Sequence, residues 1–340
     1  MPSFALPHDA PSIPARSSIG ATALMALFVI LVSGFLAAGG PAQAAPGLGE
    51  SPAAVEVAPG VYMVQGARGE ADPDNLGRIG NAGFIVGESG VMAIDTGTSY
   101  RQGEALLKAI GQVTPKPVRL VLITHARQEF LFGAMAYRER GIPIHMHRKA
   151  ALLMAARCEN CLKNLRRTLG EEEMQGTAMF KPDREFEEEH LVEAIGRPVR
   201  VLYHGHSSGP GDVAALDLRS GVLFAGGLLD NQRIPDIQDS DPDGWRKALA
   251  ASRQSGIATV VPGHGPAAPA GQVIGAVERY LGQLEARVRE LLRDGVALSA
   301  VADRTVLPEF EGWDQYDTVH RRNASIMYLR LEREQMFKQE

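Results

Sequence analysis

The stretch "LVLITHARQEFLFGAMAY", Leu120 to Tyr137, decides how this chain is read. An apolar, β-branched run closing on Thr124 and His125 predicts a buried strand that delivers an imidazole at its C-terminal end. A helix is expected behind it, from about Leu131 to Arg140. Between them stand Ala126, Arg127, Gln128, Glu129 and Phe130, which offer one carboxylate, one permanent cation and one phenyl ring.

Working outward, "GNAGFIVGESGVMAIDTG" from Gly80 to Gly97 holds two β-branched runs around a Glu88-Ser89-Gly90 turn, a hairpin pattern. An edge strand is expected between Ser51 and Gln65, and a helix over Ser99 to Ile110. "IPIHMH" reads as a short strand carrying His145 and His147, and Lys149 to Leu169 as a charged helix. The second half repeats the plan. "RPVRVLYHGH" and "DVAALDLRSGVLFAGGLL" predict three strands, Gly244 to Ser255 a helix, and "ATVVPGHGP" a strand ending in a Gly-Pro loop. Ala270 to Asp294 has apolar residues at helical spacing, "LPEFEGW" is an irregular linker, and "SIMYLRLEREQMF" is helical again. Two halves of strands followed by helices predict an α/β (α+β) fold, an αββα sandwich of two mixed sheets with helices outside.

The chain has 340 residues, 45% of them hydrophobic and 22% charged, with a formal charge of -5, so it carries no electrostatic footprint for nucleic acid. Arg16, the apolar run "IGATALMALFVILVSGFLAAGG" and the small-residue site Ala42-Gln43-Ala44 form a Sec-type signal pattern. Export to the periplasm with cleavage after Ala44 is expected, and no later run is apolar enough to span a bilayer. The expected plan is a signal peptide over 1–44, a linker over 45–54, the main domain over 55–294 and a helical extension over 295–340. The two cysteines, Cys158 and Cys161, fall within a helical run. An i, i+3 pair brings the Cα atoms to about 5 Å, within disulfide reach. An oxidising compartment favours a structural local disulfide there; a redox pair or half of a zinc site are the alternatives.

"NAGFIVGESGVMAIDTG", "LVLITH", "GPGDVAALDLRSGVLFAGG" and "VVPGHGP", in this order and spacing, resemble the metallo-β-lactamase superfamily over about Val55 to Pro266. "CENCLKNLRRTLG" and the tail "LPEFEGWDQYDTVHRRNASIMYLRLE" are similar to its exported subgroup of quinoprotein relay system zinc metallohydrolases. The resemblance implies the αββα fold, a zinc-dependent hydrolase ancestry and a setting near dehydrogenases that use pyrroloquinoline quinone. Fold and setting do not supply a reaction.

The family motif H-x-H-x-D-H, with further ligands in H-T-x-G-D, G-D and G-H-G, holds two zinc ions. Here His125 matches the first histidine and His264 the last. Arg127 stands at the second histidine, Glu129 at the aspartate and Phe130 at the third histidine. Ser208 stands at the next histidine, and Gly227 at the bridging aspartate. Asp95 of "IDTG" matches a structural residue. Phe130 and Gly227 donate nothing, and a guanidinium cannot ligate a cation. Two zinc ions are therefore not expected; none or one is. His125, Glu129, His206 and His264 are the candidate ligands for a single ion.

Without metal, Arg127 is expected to fill the vacated space and pair with Glu129, with Phe130 and Tyr203 as an apolar wall around a small carboxylate or quinone-like ligand. Three functions follow: a binding or accessory component near quinoprotein dehydrogenases, a one-zinc hydrolase of an ester, lactone, thioester or amide, or an exported scaffold. No serine nucleophile elbow is present, because "GHSSG" is out of step with G-x-S-x-G.

Overall fold

Alternation of side chains along each strand sorts the sequence into layers. A computed structural model describes residues 52–337, so the expected leader, most of the linker and the last three residues lie outside the described residues. The first sheet contains β1 (Val55–Ala58), β2 (Val61–Val64), β3 (Ala82–Val86), β4 (Val91–Ile94), β5 (Val118–Ile123), β6 (Ile144–His147) and β7 (Arg184–Phe186), in that spatial order. Its first four strands pair antiparallel, and β4 to β7 pair parallel.

The second sheet is built from β8 (His190–Val192), β9 (Val199–Leu202), β10 (Ala214–Asp217), β11 (Val222–Phe224), β12 (Thr259–Val261) and β13 (Ala268–Pro269). Its order is β13-β12-β11-β10-β9-β8, with only β11 and β12 parallel. The strands β7 and β8 escape the sequence reading because "REFEEEHLV" offers charged, exposed side chains where a strand signal needs apolar ones.

Helices α1 (Tyr100–Val113), α2 (Gln128–Leu131), α3 (Ala134–Arg138) and α4 (Arg148–Glu173) precede β7. They are followed by α5 (Pro242–Gln254), α6 (Ala270–Arg293), α7 (Leu298–Arg304) and α8 (Arg321–Phe337). Met92, Ile94, Leu120 and Leu122 pack between the sheets with Val199, Val201, Ala215 and Phe224. Their neighbours Val91, Ala93, Val121 and Ile123 face the other way, into a core shared with Ile110, Phe132 and Met154. Likewise Leu223 and Val260 face Trp245, Val273, Val277 and Leu284. The layers are therefore helix, sheet, sheet, helix, as the alternation implied. Each fully buried aliphatic side chain contributes about 1.5–3 kcal/mol to this arrangement.

The helix expected from Leu131 to Arg140 is instead two short pieces. Gly133 lies against Thr96, where an added Cβ would stand 1.9 Å from the Thr96 carbonyl oxygen, and the chain turns there. The tail folds onto α6: Val301, Phe310, Ala324 and Met327 share one core with Val277, Tyr280 and Leu284. Phe310 packs edge-on against Tyr280 with ring centroids 5.3 Å apart, and Trp313 packs edge-on against Phe310 in turn, so the aromatics of "LPEFEGW" anchor this irregular segment on α6. His320 is structural: its Nε2 stands 2.7 Å from the Thr305 carbonyl and its Nδ1 3.2 Å from the Tyr280 hydroxyl. No helix among the described residues is long and apolar enough to cross a membrane.

At the start of β9 the two sheets are tied by a charge. Arg197 binds Asp217 through two hydrogen bonds of 2.7 Å, and also donates to the carbonyls of Pro59 and Val86. Both side chains are buried. The opposite ends of β5, β9, β11 and β12 carry the loops described next.

Candidate functional site

β5 ends in Thr124 and His125, and a short chain of hydrogen bonds fixes that imidazole. The Asp95 carboxyl accepts the Thr124 N–H at 2.8 Å and the Thr124 hydroxyl at 2.9 Å. The hydroxyl has then spent its only proton, so it accepts from His125 Nδ1 at 2.7 Å. This tautomer leaves a lone pair on His125 Nε2, which is buried without a hydrogen-bond partner. Burial, reinforced by Arg127, lowers the His125 pKa to about 3, so the ring is neutral at physiological pH. Burial likewise pushes the Asp95 carboxyl up to about 7, against the opposing hydrogen bonds from Thr124. Asp95 holds this geometry at φ 59°, a left-handed conformation that few side chains adopt.

His264 is set the same way from the other sheet. It follows β12 in a loop held down by Asn81, whose amide donates to the carbonyls of Pro262 and Gly265 at 2.8 Å each. Its Nδ1 lies 2.8 Å from Asp230 Oδ1. Its Nε2 lies 3.3 Å from Glu129 Oε1 but outside hydrogen-bond geometry, so this nitrogen too is buried without a hydrogen-bond partner. Burial opposes protonation of His264, but the carboxylates of Asp230 and Glu129 prevail and raise its pKa. For Glu129 burial favours the neutral acid; His264 and Arg127 outweigh it and hold the carboxyl at about 2.

The positions between these histidines are filled by other chemistry. Phe130 is fully buried, with its ring centroid 4.3 Å from that of His125 and 5.2 Å from that of His264. Arg127 does not pair with Glu129 as expected. It donates to Asp236 Oδ2 at 3.0 Å and to the Asp236 carbonyl at 3.2 Å. Asp236 also accepts from Arg322 of the tail at 2.7 Å, and its neighbours Pro235 and Ile237 are held by Asn323. The "HRRN" segment thus fixes the loop that fixes Arg127. The carboxylates of Asp236 and Glu129 keep the guanidinium charged despite its burial.

Ser208 is turned away from a ligand role, donating its hydroxyl to Asp212 Oδ2 at 2.7 Å. A Cβ at Gly227 would stand 2.6 Å from Asp212 Oδ2 and 3.0 Å from His125 Cδ2. The Asp212 carboxylate therefore occupies the space that a side chain at 227 would enter. Burial raises its pKa to about 6. Asp212 is not among the residues expected from the sequence; the missing side chain at Gly227 is the signal that another group fills the gap.

His206 does not join the buried pair. Its ring is exposed, with Nε2 2.6 Å from the Asp239 carbonyl. Tyr203 stacks on His147 instead, at 4.0 Å between centroids, and donates its hydroxyl to the Pro210 carbonyl, so it is no wall of the site. His147 caps α4 and reaches the Glu187 carbonyl. Among the described residues no three His, Cys, Asp or Glu side chains converge as a metal-holding group. A cleft of about 580 Å³ opens over Arg127, Glu129, Asp230 and His264, and Cys158 and Cys161 line its other side. Both cysteines are free thiols, so the local disulfide expected from the sequence is not formed here; Cys158 is directed into the core and Cys161 toward the cleft wall.

Comparison with known proteins agrees with this architecture. The family model described as the metallo-beta-lactamase superfamily matches residues 76–264. A metallo-beta-lactamase from Pontibacter korlensis superposes with a TM-score of 0.55 at 19% identity, covering 68% of this chain and 98% of that one. The metallo-beta-lactamase FIM-1 from Pseudomonas aeruginosa, in its mono-zinc form, gives 0.54 at 17% identity over 69% and 96% of the two chains. One from Erythrobacter litoralis, with beta mercaptoethanol in its active site, gives 0.54 at 18% over 68% and 96%. Comparison with curated proteins gives no match.

Proposed function

We propose that this chain, which belongs to the metallo-beta-lactamase superfamily, is an exported binding or accessory component of quinoprotein dehydrogenase systems whose pocket does not hold two zinc ions. The observation that carries this reading is the guanidinium of Arg127, anchored by Asp236 at the second histidine's position. A fixed cation there repels a second divalent ion and donates nothing to it. Phe130, Ser208 and Gly227 remove three further donors, and Asp212 fills the gap at Gly227 without converging with the histidines as a ligand group. The donor set does not fit the family's zinc pair.

What this chain's residues do offer is a polar cleft with a firmly placed cation. A small carboxylate or quinone-like ligand entering it meets the Arg127 guanidinium, whose charge and whose N–H groups not spent on Asp236 are left to receive it. The link to quinoproteins rests on the cysteine helix and the "HRRN" tail, and the structure adds a physical reason for the tail: Arg322 and Asn323 hold the Asp236 loop. Chelator-insensitive melting of a protein purified without bound metal supports the reading. A sharp fall in melting temperature on adding chelator counts against it.

One observation favours a second reading, a hydrolase with one zinc ion. His125 presents a buried Nε2 with no partner and His264 turns its Nε2 to the Glu129 carboxylate at 3.3 Å, each ring oriented from behind through Nδ1. Oriented imidazoles of this kind are how proteins prepare metal ligands. Two donors sharing one tetrahedral zinc stand about 3.4 Å apart, close to the 3.3 Å between His264 Nε2 and Glu129 Oε1. His125, His264 and Glu129 are the side chains that would have to close on such an ion, since no three of this kind converge among the described residues, and the ion would supply a Lewis acid and an acidified water. One tightly bound zinc that is lost in the His125→Ala, His264→Ala double variant selects this reading.

A further inference from the structure

The two thiols on α4 remain unexplained by either reading. Cys158 and Cys161 stand one helical turn apart, and both line the cleft that also contains Arg127, Glu129 and His264. We propose that they form a dithiol–disulfide exchange site that takes a disulfide-bearing substrate from the cleft, with Cys161 the attacking sulfur and Cys158 the resolving one.

Geometry allows the bond to close and reopen. Residues at i, i+3 in a helix have Cα atoms about 5 Å apart, inside the range a disulfide spans. The surroundings then assign different roles to the two sulfurs. Cys158 is 2% exposed and packs in the core with Met154 and Leu165, where an incoming disulfide cannot reach it. Cys161 is half-buried at the cleft wall, and its Sγ lies 3.7 Å from the Arg157 carbonyl, which takes its proton while it is a thiol. Its neighbour Cys158 lowers the Cys161 pKa to about 7, while the Cys158 thiol is pushed up. A partly exposed sulfur with a stabilised thiolate beside a buried protonated one is the arrangement that exchange chemistry requires.

The exchange balances without metal. The Cys161 thiolate attacks one sulfur of R–S–S–R, the S–S bond breaks, and R–S⁻ leaves, giving a mixed disulfide on Cys161. Cys158 passes its proton to that departing thiolate and attacks Cys161 Sγ, releasing the second R–S⁻. Two protein thiols are oxidised and one substrate disulfide is reduced to two thiols; the reverse sequence oxidises a dithiol substrate.

The test equilibrates the mature chain with mixtures of reduced and oxidised glutathione, quenches with an alkylating agent and weighs the products. The wild type is expected to pass reversibly from two free thiols to none without retaining glutathione. Cys158→Ser is expected to hold one glutathione on Cys161, and Cys161→Ser to react roughly tenfold more slowly or less. Alkylation of Cys161 should rise with pH around a midpoint below the ordinary thiol value of about 8.5. Melting curves establish that both variants are folded. The proposal is overturned if the wild type stays reduced in excess oxidised glutathione, or if its disulfide persists in excess reduced glutathione as a structural cross-link would. Equal rates for the two serine variants overturn it as well.

Discussion

The two ends of the sandwich handle buried polar groups in opposite ways. At the start of β9, Arg197 and Asp217 meet through paired hydrogen bonds, and Arg197 also binds two carbonyls of the first sheet. At the other end, His125 and His264 are equally buried, yet each leaves one ring nitrogen without a hydrogen-bond partner. A buried donor or acceptor left unpaired costs about 1–3 kcal/mol, so a stable fold tolerates two of them chiefly where something else is to be bound. The difference separates an end whose buried charges are paired from one whose buried imidazoles border a cleft.

The paired end gives the largest expected effect. Arg197→Met leaves Asp217 buried without its cation and should cost about 3–5 kcal/mol in denaturant unfolding, with no change in zinc uptake. An Arg197 variant with altered zinc uptake would break the division between the ends. Next, Gly227→Asp drives a side chain into the Asp212 carboxylate and should destabilise by about 1–3 kcal/mol, part of which the added change Asp212→Ala recovers. If Gly227→Asp alone is neutral, Asp212 does not occupy that space. Thr124→Val removes the hydroxyl between Asp95 and His125 and should cost about 1–3 kcal/mol; an unchanged unfolding midpoint would deny the relay any structural weight. The smallest effect is expected from Arg322→Ala, whose ion pair with Asp236 is half exposed. It should cost no more than about 1 kcal/mol while loosening Arg127, seen as weaker binding of a small carboxylate by calorimetry.

Most of the fold was legible in the sequence because apolar patterning is a local signal. Val91 to Ile94 and Leu120 to Ile123 are short unbroken apolar runs, which mark central strands buried on both faces without reference to any other part of the chain. What escaped depends on long-range partners. Nothing local to Arg127 shows that Asp236, more than a hundred residues later, will take it in preference to the carboxylate two residues away. Strand alternation carried through "RPVRVLYHGH" would put His204 and His206 on one face, but β9 ends at Leu202, so the alternation lapses before it reaches them. The strands β7 and β8 were invisible for a related reason: edge positions accept charged residues, and their pairing is a property of the neighbouring strand.

The proposal stands or falls on whether the pocket keeps a metal pair. The direct measurement is the zinc content per chain of the mature protein, grown with added zinc, dialysed and weighed by native mass spectrometry. The account predicts chains carrying no zinc or a single ion. A population of chains each retaining two tightly bound zinc ions would contradict it.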